Sequence, residues 1–378
     1  MRCPCKAILA VLLAVPLACQ PATPTSAPAP IGKIVERPWE PMRSVEYRMA
    51  TAKLGQTANS GLLLPMVSPD GQWIACLQTP PGSIATPEDL LRGELCESNR
   101  LLLRQTAADA PPRVVCDKGA MWPAWSPAGG TLVFTARGTD GRGELGIHDV
   151  ASGTTQRRAL GPGRLAMPSV APTGDRIALV DADNLPVSSR IYILNLQDRS
   201  MVPGPPLAKG SRQLWPQWID GQTLVFLDWN AQGSNLCRWT VGQSDTKPIA
   251  PVGEIPSSTE ALQLFISVSQ PASPDGGSIA YYDRLADRLT VVDLAKGTPR
   301  GIGQQTRAGC WMGSELIAAA DKDLFIFSMT DQAEGNRLLR GPWLPIWASA
   351  KDGAILLCTR GASDDLFDLV RVQLVWRH

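Results

Sequence analysis

One short pattern recurs along most of the chain and constrains its fold more than any other feature. The pattern is a proline, one residue, an apolar residue, a turn that contains glycine, and then four or five apolar residues. Its seven copies begin at Pro65, Pro123, Pro168, Pro216, Gln270, Cys310 and Pro345. The turn glycines lie 37 to 58 residues apart, at Gly71, Gly129, Gly174, Gly221, Gly276, Gly313 and Gly353. This period is typical of a four-stranded sheet repeated around an axis.

Turn chemistry explains how each copy folds. Proline presets φ at the second position of a turn, and Asp-Gly or Thr-Gly then supplies the polar and left-handed positions. The residues before the turn predict one strand, and the apolar run after it predicts the next. A further apolar run, such as Leu145 to Asp149, and a more polar segment complete the unit. We therefore predict an all-β fold of seven four-stranded antiparallel blades, or six if the degenerate copy at Cys310 is an insertion.

The last copy has too few residues for a fourth strand of its own. In the segment Ser44 to Thr51, which precedes the first copy, apolar and charged residues alternate as in a half-buried strand. A sheet edge left open would be free to pair with other chains. We therefore predict that this N-terminal strand pairs with the last blade and closes the ring.

The N-terminus carries the features of an export signal. Arg2 and Lys6 precede an apolar run that ends at Ala18 and is shorter than a typical transmembrane helix. The end of the run, PLAC, resembles the lipobox of bacterial lipoproteins, although Pro16 stands where leucine is preferred. That resemblance implies acylation of Cys19.

The resulting domain prediction has three parts. Residues 1–18 form a signal peptide, residues 19–43 a lipid-anchored Pro/Ala-rich tether, and residues 44–378 the repeat domain. We expect an exported lipoprotein that faces the periplasm or the cell surface. Plain secretion or a soluble periplasmic form is the alternative.

Two copies match a known repeat. WSPAGGTLVF from Trp125 and SPDGGSIAYY from Ser273 resemble the TolB-like, WD40-like β-propeller repeat, and the resemblance extends from Leu64 to about Gln373. It implies a propeller fold but no particular activity, because this repeat serves in TolB, in propellers that cap some serine peptidases and in other exported proteins. TolB also has a preceding α/β domain, for which this chain has only about thirty residues.

Charge and cysteine content restrict the partners. The chain has 36 Lys and Arg against 35 Asp and Glu, without a basic block, so we expect no nucleic-acid partner. Contact with the membrane is expected only through the lipid anchor. Among the cysteines that would remain after export, Cys96 and Cys116 are the best candidates for a disulfide.

The sequence offers little for catalysis. Its two histidines are His148, in a strand, and the terminal His378, and it contains no G-x-S-x-G and no phosphate-binding loop. We therefore predict no catalytic residue. The acidic loop with Asp181, Asp183 and Asn184 is a weak candidate for calcium, and a solvated loop is the plainer interpretation. No other cofactor is expected.

Tryptophan occupies two distinct positions of the repeat. Trp125, Trp218 and Trp347 follow Pro-x and are predicted to pack in the core between blades. Trp122 and Trp215 precede the proline, which should place them at one mouth of the axial channel. The same position is filled in other copies by Leu64, Met167, Ser269, Arg307 and Leu344. A binding platform and simple aromatic packing both fit this pattern.

The sequence thus favours a non-catalytic binding or scaffolding protein of the cell envelope, with a protein, peptide or glycan as its partner. One alternative is an enzyme with an acidic or calcium-dependent channel site, of a lactonase-like or glycan-cleaving type. A second is a purely structural envelope protein. The channel lining should discriminate, because converging carboxylates would favour an enzyme and aromatic, apolar residues would favour binding.

The anchor gives the first testable prediction. Cys19→Ala should release the protein from membranes, because the residue that would carry the acyl chains is lost, whereas Cys5→Ala in the signal should leave it anchored. Membrane fractionation and the intact mass of the N-terminal peptide measure this. A soluble wild type without acyl mass on Cys19 would contradict the assignment.

Overall fold

A computed structural model describes most of the chain beyond residue 60. The described residues are 52–53, 61–79, 99–106, 111–138, 141–160, 163–183, 187–231, 233–253, 255, 268–320, 323–329, 335–341, 344–349, 351, 353–360 and 367–373. Their regular structure consists of β-strands, and every strand pairs antiparallel with its neighbour in a sheet. No helix long and apolar enough to span a bilayer occurs among these residues.

The strands form seven sheets, which we number in chain order. Strands that are consecutive in the chain are neighbours in each sheet, and the strand that comes first in the chain is the innermost in sheets 1 to 4 and in sheet 6. In sheet 7 the innermost strand is Leu344–Ser349. Sheet 1 contains Gly61–Val67, Trp73–Thr79, Arg100–Gln105 and Arg113–Cys116. Sheet 2 contains Ala120–Trp125, Thr131–Arg137, Gly143–Asp149 and Thr155–Ala159. Sheet 3 contains Leu165–Val170, Arg176–Asp181, Arg190–Asn195 and Met201–Pro203. Sheet 4 contains Arg212–Trp218, Thr223–Asn230, Gly233–Thr240 and Lys247–Gly253.

The remaining sheets continue the same order. Sheet 5 contains Ser278–Asp283, Arg288–Asp293 and Thr298–Ile302. Sheet 6 contains Thr306–Met312, Glu315–Ala320, Asp323–Ser328 and Gly335–Arg340. Sheet 7 contains Leu344–Ser349, Ala354–Arg360 and Phe367–Gln373, with Ala52–Lys53 at its outer edge. Each sheet packs against the next, and sheet 7 packs against sheet 1, as in a β-propeller.

The prediction of seven four-stranded blades needs a correction. Six sheets are complete four-stranded blades, as in the six-bladed alternative, but sheet 5 has three strands. The degenerate copy at Cys310, which the six-bladed alternative treated as an insertion, is one of the complete blades. In sheet 5, the place of the innermost strand is taken by a segment that makes isolated bridges, Val268 with Gly309 and Ala272 with Ile279. Pro271, between them, has no N–H to extend the ladder.

The Ser-Pro-Asp-Gly turns fold as their sequence dictates. In sheet 1 the Ser68 hydroxyl donates to Asp70 Oδ1 at 2.5 Å and accepts the backbone N–H of Trp73 at 2.9 Å. Ser273 makes the equivalent contacts, with Asp275 Oδ1 at 2.5 Å and the N–H of Ser278 at 2.9 Å. These bonds satisfy polar groups that the tight turn removes from the ladder.

Neighbouring sheets are joined by tryptophans of the innermost strands. Trp125, Trp218 and Trp347 are buried, as predicted, and Trp311 in sheet 6 joins them. Each indole N–H donates to a backbone carbonyl of an adjacent sheet or, for Trp311, of the segment before sheet 5. The pairs are Trp125 to Met66 (3.0 Å), Trp218 to Ser169 (3.0 Å), Trp311 to Pro271 (3.2 Å) and Trp347 to Pro69 (3.2 Å). The last pair links the final sheet to the first.

The predicted N-terminal strand, residues 44–51, lies outside the described residues. The two residues that follow it pair with the last strand of the chain, Ala52 opposite Leu369 and Lys53 opposite Asp368. Closure of the ring by the segment Ser44 to Thr51 therefore stays a prediction.

The junction of sheets 1 and 7 gives the second testable prediction. Gly71 and Gly174 occupy equivalent turns with φ of +69° and +74°. A Cβ added at Gly71 would lie 2.5 Å from the Trp347 side chain, whereas a Cβ added at Gly174 would meet nothing within 4 Å. Gly174→Ala should lower the free energy of unfolding by about 1 kcal/mol, the cost of the left-handed backbone. Gly71→Ala should cost about 1 to 3 kcal/mol more, because it overpacks the junction. Denaturant unfolding measures both, and equal losses would contradict the packing shown here.

Candidate functional site

A cavity of about 490 Å³ lies on the axis between the innermost strands. Its wall is formed by the inner strands of sheets 1 to 4 with the turns that follow them, by the segment before sheet 5, and by Pro345 and Ile346 of sheet 7. This volume falls in the usual range for small-ligand pockets. The cavity is therefore the candidate site.

The wall of the cavity carries no charged side chain among the residues that the structure describes. It contains nine prolines and four tryptophans, and its polar side chains are all neutral: Ser169, Gln217, Ser269, Gln270 and Ser273. Because proline has no N–H, a wall built from it offers few hydrogen-bond donors. The site is suited to an uncharged and largely apolar ligand.

The inner strands bulge where a proline interrupts them. In sheets 2, 3 and 4 the register shifts across Trp122, Met167 and Trp215, each of which precedes a proline. These three residues have φ of 47°, 51° and 53°, a left-handed conformation that is rare for non-glycine residues and disfavoured before proline. Each costs on the order of 1–3 kcal/mol, and such strain clusters at functional sites. We call these three residues the channel floor.

The channel floor brings the two predicted tryptophans together. The ring centroids of Trp122 and Trp215 lie 5.8 Å apart at an interplanar angle of 84°, the edge-to-face arrangement that aromatic pairs favour. All three residues line the cavity. Trp122 and Met167 are each 4% exposed, however, and Trp215 is partly buried. Trp122 therefore lines the cavity as a buried ring, and contact of the two tryptophans with a partner stays a prediction.

Two polar atoms in the cavity wall have no hydrogen-bond partner among the residues that the structure describes. They are Trp122 Nε1 and Ser269 Oγ, and both are out of contact with solvent. A buried donor without an acceptor costs about 1–3 kcal/mol. Trp122 therefore combines backbone strain with an unsatisfied N–H.

The other residues of the predicted set lie in different surroundings. Leu64 and Leu344 are in inner strands beside Pro65 and Pro345, which line the cavity, but their side chains lie outside the described residues. Arg307 is not part of the cavity wall. Its guanidinium forms a bidentate pair with Asp287, at 3.0 and 2.9 Å.

The carboxylates of the acidic loop accept hydrogen bonds from nearby backbone N–H groups. Asp183 Oδ1 accepts the N–H of Arg164 at 2.7 Å, and Asp181 Oδ1 accepts that of Asp183 at 3.1 Å. Burial raises the pKa of Asp181. Asn184 lies outside the described residues, and within them no three His, Cys, Asp or Glu side chains are grouped as metal ligands.

The other residues singled out in the sequence are His148 and three cysteines. His148 is buried with Nδ1 2.9 Å from Thr155 Oγ1, and burial lowers its pKa, so the neutral form is favoured. Cys116 is a free thiol that donates to the Lys118 carbonyl at 3.1 Å. Cys96 and Cys19 lie outside the described residues, so the disulfide and the lipidation stay predictions.

One group of residues at the site was not predicted from the sequence. The prolines of the turns, which the sequence pattern indicates only as turn formers, also line the cavity: Pro69, Pro127, Pro172 and Pro274. Their signal was present in the sequence, because each lies four residues, or three for Pro274, beyond the proline of its inner strand.

The burial of Trp122 gives the third prediction. Trp122→Ala should lower the free energy of unfolding by about 3–5 kcal/mol, the usual loss for a buried large ring. Trp215→Ala should cost clearly less, because that ring is partly exposed and its truncation leaves a smaller void. Denaturant midpoints of the two variants measure the difference. Small and equal losses would place both rings on the surface.

Comparison with known proteins supports the fold. No family model and no curated protein sequence matches the chain. An oligogalacturonate lyase in complex with manganese is 12% identical with a TM-score of 0.57, over 86% of this chain and 96% of the lyase. The β-propeller domain of the Trilobed protease from Pyrococcus furiosus is 11% identical with a TM-score of 0.52, over 85% and 97%. TolB from Acinetobacter baumannii is 14% identical with a TM-score of 0.42, over 84% of this chain and 64% of TolB. At these identities the likeness to the lyase and to the protease domain shows a β-propeller fold alone.

Proposed function

We propose that the chain is a non-catalytic binding protein whose axial cavity holds an uncharged, largely apolar part of a cell-envelope partner. The observation that carries this proposal is the cavity wall, which is built from tryptophan, proline and neutral polar side chains. A charged ligand would be desolvated there without a partner of opposite sign, at a large cost. An apolar group would instead exchange water for the aromatic and proline surfaces.

The same wall argues against acid–base catalysis in the cavity. General acids and bases are His, Glu, Asp, Lys, Tyr or Cys, and none of these is among the described lining residues. Its three serines, Ser169, Ser269 and Ser273, have no histidine or lysine beside them in the wall to activate a hydroxyl. A binding role needs no such group.

The compartment and the ring belong to the same proposal. The signal-like run and Cys19 support an exported lipoprotein whose tether presents the propeller to the envelope. The pairing of Ala52–Lys53 with the last strand supports closure from the N-terminal side.

The experiment adds one charge to the cavity. Gln217 is partly buried and lines the wall, and Gln217→Glu changes its charge with little change in size. The matched control is Gln243→Glu, at an exposed turn between the last two strands of sheet 4. The probe is a neutral, apolar dye such as Nile red, titrated by fluorescence.

We expect the wild type and Gln243→Glu to bind the dye with the same Kd. Gln217→Glu should weaken binding by about tenfold or more, because a carboxylate beside an apolar ligand must give up hydration. Thermal melts of all three proteins confirm folding. The proposal is wrong if the wild type does not bind the dye. It is also wrong if the Gln217→Glu variant binds the dye as tightly as the wild type does.

A further inference from the structure

The channel floor indicates which chemical class of ligand the cavity takes, and this inference rests on the proposed function. Three consecutive sheets hold a non-glycine residue in the left-handed region at the same place, each before a proline. Fold formation alone does not require this, because a glycine at the position would remove the steric cost. The strain therefore points to side chains that are needed at the floor of the cavity.

The second observation is the unpaired donor at Trp122. Four indole N–H groups on the inner strands are matched with a carbonyl of a neighbouring blade or segment. Trp122 is buried to the same degree, yet its Nε1 has no acceptor among the described residues. A ligand that brings an acceptor to this N–H would recover a hydrogen bond that the free protein lacks.

The composition of the wall decides between ligand classes. A glycan presents many hydroxyls, and a wall with five neutral polar side chains would leave most of them unpaired. A hydrocarbon chain would suit the apolar surface but would bring no acceptor to Trp122. An extended peptide of polyproline II type offers both apolar rings and backbone carbonyls that have no internal partner. Aromatic-lined grooves are the known surfaces for such segments.

We propose that the cavity binds a short, uncharged, proline-rich peptide segment of a partner protein, and that one of its backbone carbonyls accepts the Nε1–H of Trp122. Because this atom is out of contact with solvent in the free protein, binding must shift the ring. The strained backbone at Trp122 and the partly exposed Trp215 beside it are where this shift takes place.

The test compares two buried tryptophans. Trp122→Phe removes the unpaired donor, and Trp347→Phe removes a donor that is already bonded to the Pro69 carbonyl. Both rings are buried to the same degree, so the loss of ring volume is matched, and Trp347 is not among the described residues that line the cavity. The ligand probe is a blocked hexaproline peptide, and a blocked glycine–serine hexapeptide is its uncharged control.

We expect hexaproline to bind the wild type at least tenfold more tightly than the glycine–serine peptide. Trp122→Phe should weaken hexaproline binding about fivefold, the value of one neutral hydrogen bond, and Trp347→Phe should change it less than twofold. In the free protein the order of the two effects reverses, because Trp347→Phe breaks an existing hydrogen bond and so lowers the denaturation midpoint more than Trp122→Phe does. In ¹⁵N-labelled protein, the indole N–H resonance that Trp122→Phe removes should shift downfield when hexaproline binds.

The outcomes separate this inference from the function on which it rests. If Nile red binds and Gln217→Glu weakens it, but hexaproline binds no better than the glycine–serine peptide, the peptide class is wrong and the binding function stands. If hexaproline binds Trp122→Phe as tightly as the wild type, the carbonyl contact is wrong. If neither dye nor hexaproline binds, both proposals fail.

Discussion

The packing of each sheet against the next is the constraint on which the ring depends, and at four junctions a hydrogen bond from an inner-strand indole to a neighbouring carbonyl fixes it. A single blade buries its two faces only when a neighbour covers each of them, so the blades are stable only as a set. Tryptophan supplies both parts of the junction, a large apolar ring for packing and one N–H that fixes the orientation of that ring. The pair from Trp347 to Pro69 spans 278 positions of the sequence and makes the first and last sheets neighbours. Bringing two such distant residues together costs conformational entropy, and burial of the apolar cluster around Trp347 offsets that cost.

Proline links the architecture to the site. The same residues that end the inner strands, form the turns and force the bulges also make up much of the cavity wall. Their missing N–H groups explain why the wall has few donors, and why one unpaired indole N–H is conspicuous there. At these positions the fold and the cavity wall therefore cannot be altered independently, since a proline removed from a turn is also removed from the cavity.

The sequence predicted the propeller because its repeat is local, with turn residues, apolar runs and spacing that lie within each copy. It also distinguished the packing position of Trp125 from the position of Trp122. It left open whether Trp122 packs or forms a binding platform, and it could not predict the left-handed backbone of this residue, which statistics disfavour before proline. Nor could periodicity reveal that Arg307 pairs with Asp287, because the aspartate lies in a hairpin turn of another sheet. The three-stranded sheet 5 was missed for a similar reason, since its inner segment carries the repeat pattern but bonds only at isolated positions.

The residue before the inner proline differs between blades while the proline itself recurs. Leu64, Trp122, Met167, Trp215 and Leu344 occupy this place in five copies of one motif. Because these positions belong to separate blades, each can mutate one at a time while the recurring proline and its turn are kept. In a propeller of this kind, gene duplication multiplies the blades and point mutation then varies one position of each repeat within a constant frame.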